Sequence, residues 1–436
     1  MARGDGFRNS EASVRLSKCR LAVRPLIERP AWSLPVVTGS AQAPSPLPQG
    51  QCMLRNFFRS IALLAGVLSL ACGDGTGPSI QLLPQGQIVA GNNHSCFLNV
   101  DGRIWCWGWG GLGQLGNGDT VTARSPVLVA GNLRFVQVDA GANHSCGIDT
   151  DGRAFCWGAA VFGELGTGNT IGFASQPTAV GGGLTFLQLA VGDGHTCAVT
   201  VSNEPYCWGL GLSGQLGTGG TADEATPRAV ATSVRFSQVS AGLVATCGVG
   251  VGGQVYCWGD NTFGQLGIGT IGGFADVPTA IAGTSQFLSV SVGSFVACGI
   301  TVERDAYCWG QGSFGRLGSG QQEEEPTPTP SLVASGLKYR RLVVGAQHTC
   351  AATINDQVFC WGLNTYGKLG DDIGPSGDSP SLVSGGHAFI QAGAGGNHTC
   401  GLSSLNEVFC WGLNIIGQLG VPSQSRPTFT PRRVIF

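Results

Sequence analysis

From about residue 85 to the C-terminus, apolar residues come in short runs rich in Val, Phe, Leu and Ile, each bounded by glycine or proline. Such runs read as β-strands. In one stretch they occupy 126–129, 134–141, 144–149 and 153–158, and no segment shows the sustained period of an amphipathic helix. The set recurs along the chain. The tripeptide Cys-Trp-Gly returns at Trp107, Trp157, Trp208, Trp258, Trp309, Trp361 and Trp411, at intervals of 50 to 52 residues. Four strands in roughly 50 residues is the size of one propeller blade. The pattern therefore predicts an all-β, seven-bladed β-propeller of four-stranded repeats over residues 85–436.

A strand of the form Pro-x-x-Val or Pro-x-x-Ile starts at Pro126, Pro177, Pro227, Pro278, Pro330, Pro380 and Pro431. The first Cys unit, 88–108, has none ahead of it, and the last such strand has no Cys unit after it. The C-terminal strand is thus expected to complete the blade begun by the N-terminal strand, leaving no open sheet edge. The repeated motif, Ala-Gly-x-x-His-Thr-Cys, a hairpin, then Cys-Trp-Gly-x-Asn-x-x-Gly-Gln-Leu-Gly, resembles the regulator of chromosome condensation repeat family. The resemblance implies a seven-bladed propeller.

Each Cys-Trp-Gly cysteine follows another ten residues earlier: Cys96 with Cys106, Cys146 with Cys156, Cys197 with Cys207, Cys247 with Cys257, Cys298 with Cys308, Cys350 with Cys360 and Cys400 with Cys410. If the two face each other across a hairpin with a three-residue loop, the third loop residue needs φ > 0. That residue is Gly102, Gly152, Asn203, Gly253, Arg304, Asp356 or Asn406, and all but Arg304 tolerate the conformation well. Directly opposed cysteines stand at disulfide separation. Seven disulfides are expected.

Five histidines, His94, His144, His195, His348 and His398, sit two residues before a cysteine, so zinc has to be considered. Ala245 and Val296 replace the histidine in two repeats whose cysteine pairs persist, which a disulfide explains and zinc does not. The histidines are expected to be hydrogen-bonding supports between strands, with no metal and no cofactor. The Trp is expected between blades, and the Gly-x-Leu-Gly glycines in a turn of close backbone approach. The residue before that turn (Leu112, Phe162, Phe263, Phe314, Tyr366, Ile416) is read as core.

Composition adds a compartment. Arg55 and Arg59 precede the apolar run 61–71, which ends at Cys72. That is the layout of a secretory signal, too short for a membrane span. Ser69-Leu70-Ala71-Cys72 resembles a bacterial lipobox, implying lipidation of Cys72. Met53 is accordingly expected to be the true start: residues 1–52 are an upstream leader, 53–72 a lipoprotein-like signal peptide and 73–84 a linker. Secretion favours disulfides. Residues 73–436 carry 15 basic and 23 acidic residues, and this net negative charge disfavours nucleic acid. Glu323, Glu324 and Glu325 are read as a solvated loop, and the sequons at Asn93, Asn143 and Asn397 as by-products of the repeat.

No nucleophile elbow, phosphate loop or zinc-protease motif occurs, so catalysis is not expected. Function should lie where the repeats differ, in the loops between Cys-Trp-Gly and Gly-x-Leu-Gly. Trp109, Val161, Leu210, Leu212, Leu413 and Ile415 are unusually apolar there and form a candidate binding face for a protein or glycan. The expected molecule is a monomeric binding scaffold in the cell envelope or secreted, touching membrane only through a lipid anchor. The family resemblance implies two alternatives: a secreted inhibitor of a hydrolase such as a β-lactamase, and guanine-nucleotide exchange, which needs a cytoplasmic chain.

Overall fold

Each repeat forms one antiparallel sheet of four strands in chain order, and seven such sheets follow one another. The computed structural model describes residues 86–321, 325–372, 374, 376–422 and 426–436. The segments expected to be leader (1–52), signal peptide with Cys72 (53–72) and linker (73–84), and Glu323 and Glu324, lie outside them; Glu325 is exposed. Blade 1 consists of Gln87–Ala90, His94–Leu98, Ile104–Gly108 and Ala123–Leu128. Blades 2 to 7 span 135–179, 186–229, 236–280, 287–332, 339–382 and 389–433. Among the described residues, no helix is long and apolar enough to cross a membrane.

Position within the blade explains the composition of each strand. The second strand is buried along its whole length, as in His144–Asp149 and Val296–Thr301, because neighbouring blades cover both of its faces. The fourth strand, at the rim, is half exposed and carries the repeated proline, as in Ala123–Leu128 and Thr428–Arg433. An edge strand tolerates a residue that cannot donate to the ladder.

The seven tryptophans are fully buried, each against the cysteine pair and Gly-x-Leu-Gly leucine of the preceding blade. Trp157 packs with Cys96, Cys106 and Leu115, and Trp107 with Cys400, Cys410 and Leu419. The last glycine of each turn lies flat on that ring: a Cβ at Gly116 would sit 2.7 Å from Trp157 Nε1. Nearer the axis, a Cβ on Gly395 would overlap the carbonyl oxygen of Gly91, as one on Gly91 would overlap that of Gly141. The ring therefore closes between blades 7 and 1 with the spacing of its other seams.

Closure differs from the expected shared blade. The proline strand pairs with the third strand of its own Cys unit, Trp105 opposite Leu128 and Phe409 opposite Arg433. The Gly-x-Leu-Gly loop turns the chain back inside one repeat, so this strand ends a blade where the sequence reading has it begin one. Every blade is contiguous in sequence. Side chains close the last seam: Gln391 donates to Ile88 O (3.2 Å), Trp107 Nε1 to Gln418 O (3.0 Å) and Arg124 Nη2 to Ile415 O (2.7 Å). The Phe436 ring packs 5.0 Å from that of Phe97.

Candidate functional site

The hairpins come out in the expected register. Cys197 stands directly opposite Cys207, Cys298 opposite Cys308 and Cys350 opposite Cys360, and the same holds for Cys96 and Cys106, Cys146 and Cys156, Cys247 and Cys257, and Cys400 and Cys410. All seven pairs have Cα–Cα distances of 4.0–4.1 Å and sulfurs at disulfide distance. All seven loop residues have positive φ, Arg304 at 69° included. Seven cysteine pairs at this distance fit disulfide bonds and point to an oxidising, extracytoplasmic environment.

The histidines link blades. His94 Nε2 lies 2.8 Å from Ser145 Oγ of the next blade, and the pattern repeats for His144 with Thr196, His195 with Thr246, His348 with Thr399 and His398 with Ser95. Each hydroxyl in turn donates to the carbonyl of residue x in a Gly-x-Leu-Gly turn, such as Ser145 to Gln114 O and Thr399 to Lys368 O. The Trp indole N–H donates to the same oxygen: Trp157 to Gln114 O, Trp411 to Lys368 O. A hydroxyl has one proton, so it accepts from imidazole Nε2–H and fixes that tautomer. Burial holds His94 and His195 down to about 4 and His144 and His398 to about 3, and keeps His348 well below its ordinary value.

Two seams depart from this relay. Between blades 4 and 5 both positions are apolar, Ala245 facing the place of Ala297. Between blades 5 and 6, Val296 replaces the histidine but Thr349 remains, its buried hydroxyl without a partner.

Antiparallel pairing places the loops from the third to the fourth strand at the same end of each blade as the turn before the histidine. Backbone bonds tie the two together, as from Trp109 N to Asn93 O and Leu210 N to Gly194 O. The predicted residues thus share one face, unequally presented. Val161, Leu212 and Ile415 are 55%, 74% and 56% exposed, Trp109 and Leu210 are half-buried, and Leu413 is only 9% exposed. Leu413 is therefore almost wholly covered and leaves the candidate surface, although Trp109 and Leu210 make the same backbone bond after Cys-Trp-Gly and stay half-buried. Conversely, Phe162, Phe314 and Tyr366, expected in the core, are 40–52% exposed and belong to this face.

Residue x of the turn carries a feature missed in the sequence. In five blades its side chain is an acceptor: Gln114, Glu164, Gln215, Gln265 and Gln418 each take the N–H of the residue two before it. In blades 5 and 6 it is a cation, Arg316 or Lys368, and the residue two before it, Phe314 or Tyr366, has positive φ (64° and 69°). Without an acceptor side chain that residue is not held, and it turns over. Aligning the seven turns and reading position x alone would have found the change.

The axis carries two carboxylates, Asp139 and Asp193, and Asp139 is structural. Half-buried Asp139 accepts from Val191 N of the next blade and from Ala140 N, a place taken by Ser240 and Ser291 in later blades. Burial raises it to about 6 against those two bonds.

The RCC1-like domain profile matches residues 83–343, and regulator of chromosome condensation (RCC1) repeats match 340–368, 389–418 and 355–402. The ultraviolet-B receptor UVR8 of Arabidopsis thaliana is 32% identical over 288 residues, covering 65% of this chain and 54% of the receptor. The human E3 ubiquitin-protein ligase HERC2 is 28% identical over 295 residues, which are 65% of this chain and 6% of the ligase. The chain thus spans about half or less of these relatives. Among solved structures, human WBSCR16 shares the fold with TM-score 0.69 at 19% identity, over 77% of this chain and 95% of that one. Yeast RCC1 (Prp20), solved with Kap60, gives 0.63 at 22% over 71% and 78%. Profile, repeat and fold agree that this chain belongs to the RCC1-like domain family of seven-bladed propellers.

Proposed function

We propose that this propeller is an extracytoplasmic interaction scaffold that holds a protein partner on the loop face, without catalysis. One observation carries the reading: a repeat frame that is otherwise uniform presents irregular, solvent-exposed apolar side chains, Val161, Leu212 and Ile415, on loops at one end of the blades. Rigid, unevenly decorated surfaces suit specific recognition. The family supports a binding role, since its members act mainly as binding or regulatory proteins. A secretory route and a lipid anchor at Cys72 complete the proposal. Seven cysteine pairs at disulfide distance weigh against a cytoplasmic exchange factor. Inhibition of a secreted hydrolase such as a β-lactamase would use the same face, as would a glycan ligand.

The test is cross-linking of the natural protein in its envelope fraction, with the triple variant Val161→Asp, Leu212→Asp, Ile415→Asp beside a variant at the opposite hairpin tips, Val251→Asp with Val302→Asp. Partner cross-links lost only in the first variant are expected. Loss only in the second would move binding to the other face and overturn the proposal.

A further inference from the structure

The loop face contains a hollow of about 420 Å³ in front of blades 5 to 7, lined by Asn92, Phe295, Gln311, Arg316, Gln347 and Asn397 among others. Arg316 is 6% exposed and Lys368 fully buried. Neither has a carboxylate partner: none of the ion pairs among the described residues includes them. Arg316 donates to Ser313 O (2.9 Å) and Gln311 Oε1 (2.7 Å). A guanidinium has five N–H donors, so three remain. Lys368 Nζ makes three contacts of 3.1–3.5 Å, to Gln347 Oε1, Asn397 Oδ1 and Gly396 O, all uncharged groups at the edge of the hollow. Those amide oxygens are thereby committed to the lysine, which leaves the Gln347 and Asn397 N–H groups as further donors.

A buried cation compensated only by neutral amides is costly, and two neighbouring ones more so. Burial and the mutual repulsion of the pair lower Lys368 to about 8, and burial lowers Arg316. Position x has an acceptor in the other five blades, so the fold itself does not ask for a cation. Arg316 lies at the seam where the histidine relay is broken at Val296, and both cations follow a residue that has turned over, Phe314 or Tyr366. The departures converge on one hollow. Asp193, on blade 3, accepts from Asn92 at 3.4 Å on its far side; a group of high negative charge would be repelled there, and a single carboxylate much less.

We infer that the hollow beside Arg316, backed by Lys368 behind its lining residues Gln347, Gly396 and Asn397, is a binding site for a carboxylate, borne by a small organic acid or by an acidic peptide side chain. Arg316 offers paired donors that match a planar carboxylate, and Lys368 supplies charge from behind. The site is independent of the partner reading, because a small acid can be tested without a partner.

The experiment uses the full chain and the variants Arg316→Gln and Lys368→Gln, each of which puts in the residue common at position x and so gives a turn that the other blades already accommodate. Melting and titration calorimetry are run at constant ionic strength in chloride, then with succinate, a blocked aspartyl peptide or inorganic phosphate. Succinate or the peptide should raise the wild-type Tm saturably by about 2–4 °C, with the effect and the binding heat lost in both variants. The stronger of the two identifies a free acid or an acidic chain as the ligand. The same response in the variants, or none in wild type, would overturn the site. A phosphate response equal to that of the carboxylates would overturn the ligand assignment.

Discussion

The seam between blades 2 and 3 and the seam between blades 4 and 5 are the same interface built with and without polar atoms. In the first, His144, Thr196 and the Glu164 carbonyl form a buried relay. In the second, Ala245 and Ala297 leave only apolar contacts. Both bury a Trp whose N–H caps the same turn, Trp208 to Glu164 O and Trp309 to Gln265 O, each at 3.0 Å. Packing and the Trp bond are thus enough to join blades. The relay adds direction, and the seam between blades 5 and 6 shows the cost of half a relay.

The largest test of the difference is pH. A histidine held near 3 or 4 in the fold and near 6.5 when unfolded adds nothing above pH 6.5. Below it the unfolded chain binds the proton and the folded one does not. Stability is lost as pH falls, by about 1.4 kcal/mol per unit per histidine. Asp139 acts in the opposite sense: its raised pKa costs stability above about 6, and the cost is relieved as pH falls towards the ordinary carboxylate value. Glu164 and Asp193, also raised by burial, act in the same sense as Asp139; five histidines outweigh three carboxylates, so the denaturant midpoint should fall between pH 6.5 and 4. Hydrogen exchange at pH 4 should show the blade 4–5 seam opening last; uniform opening would mean that the relay does not set seam stability.

A smaller effect separates disulfide from metal. Replacing Cys146 and Cys156 with Ala should cost about 2–3 kcal/mol by loop closure, and replacing Cys247 and Cys257 the same, although only the first hairpin has a histidine. Denaturant unfolding reads both. An excess cost for the Cys146 and Cys156 pair would mean that histidine and cysteines act as one ligand set.

The smallest test turns on sign. Thr399→Ala leaves the buried His348 Nε2–H without an acceptor and should cost about 1–3 kcal/mol. Thr349→Ala removes a hydroxyl that already lacks a partner, and should leave the melting temperature unchanged or raise it. Equal losses would show that the hydroxyl contributes in a way common to both seams.

What the sequence makes legible follows from locality. Cysteine register, the positive-φ residues at Gly102 or Asn203, and seven blades depend on contacts within one repeat, and periodicity exposes them. The blade boundary was misplaced because a cyclic pattern has no marked origin: Pro126 could open one repeat or close another, and only pairing with Trp105 to Cys106 decides. Leu413 and Phe314 were misassigned because apolarity does not tell whether a loop turns a side chain in or out. Arg316 and Lys368 lay hidden inside a motif otherwise read as structural.

Contiguous blades make the ring a chain with one unsewn joint. Polypeptide crosses six seams, while among the described residues the seventh is held only by side chains and by backbone groups of blades 7 and 1, with Trp107, Gln391, Arg124 and Phe436 as its clasp. Force or heat that parts the propeller thus has a defined place to begin, and a covalent bridge between residues 88 and 391 would turn an openable loop into a hoop.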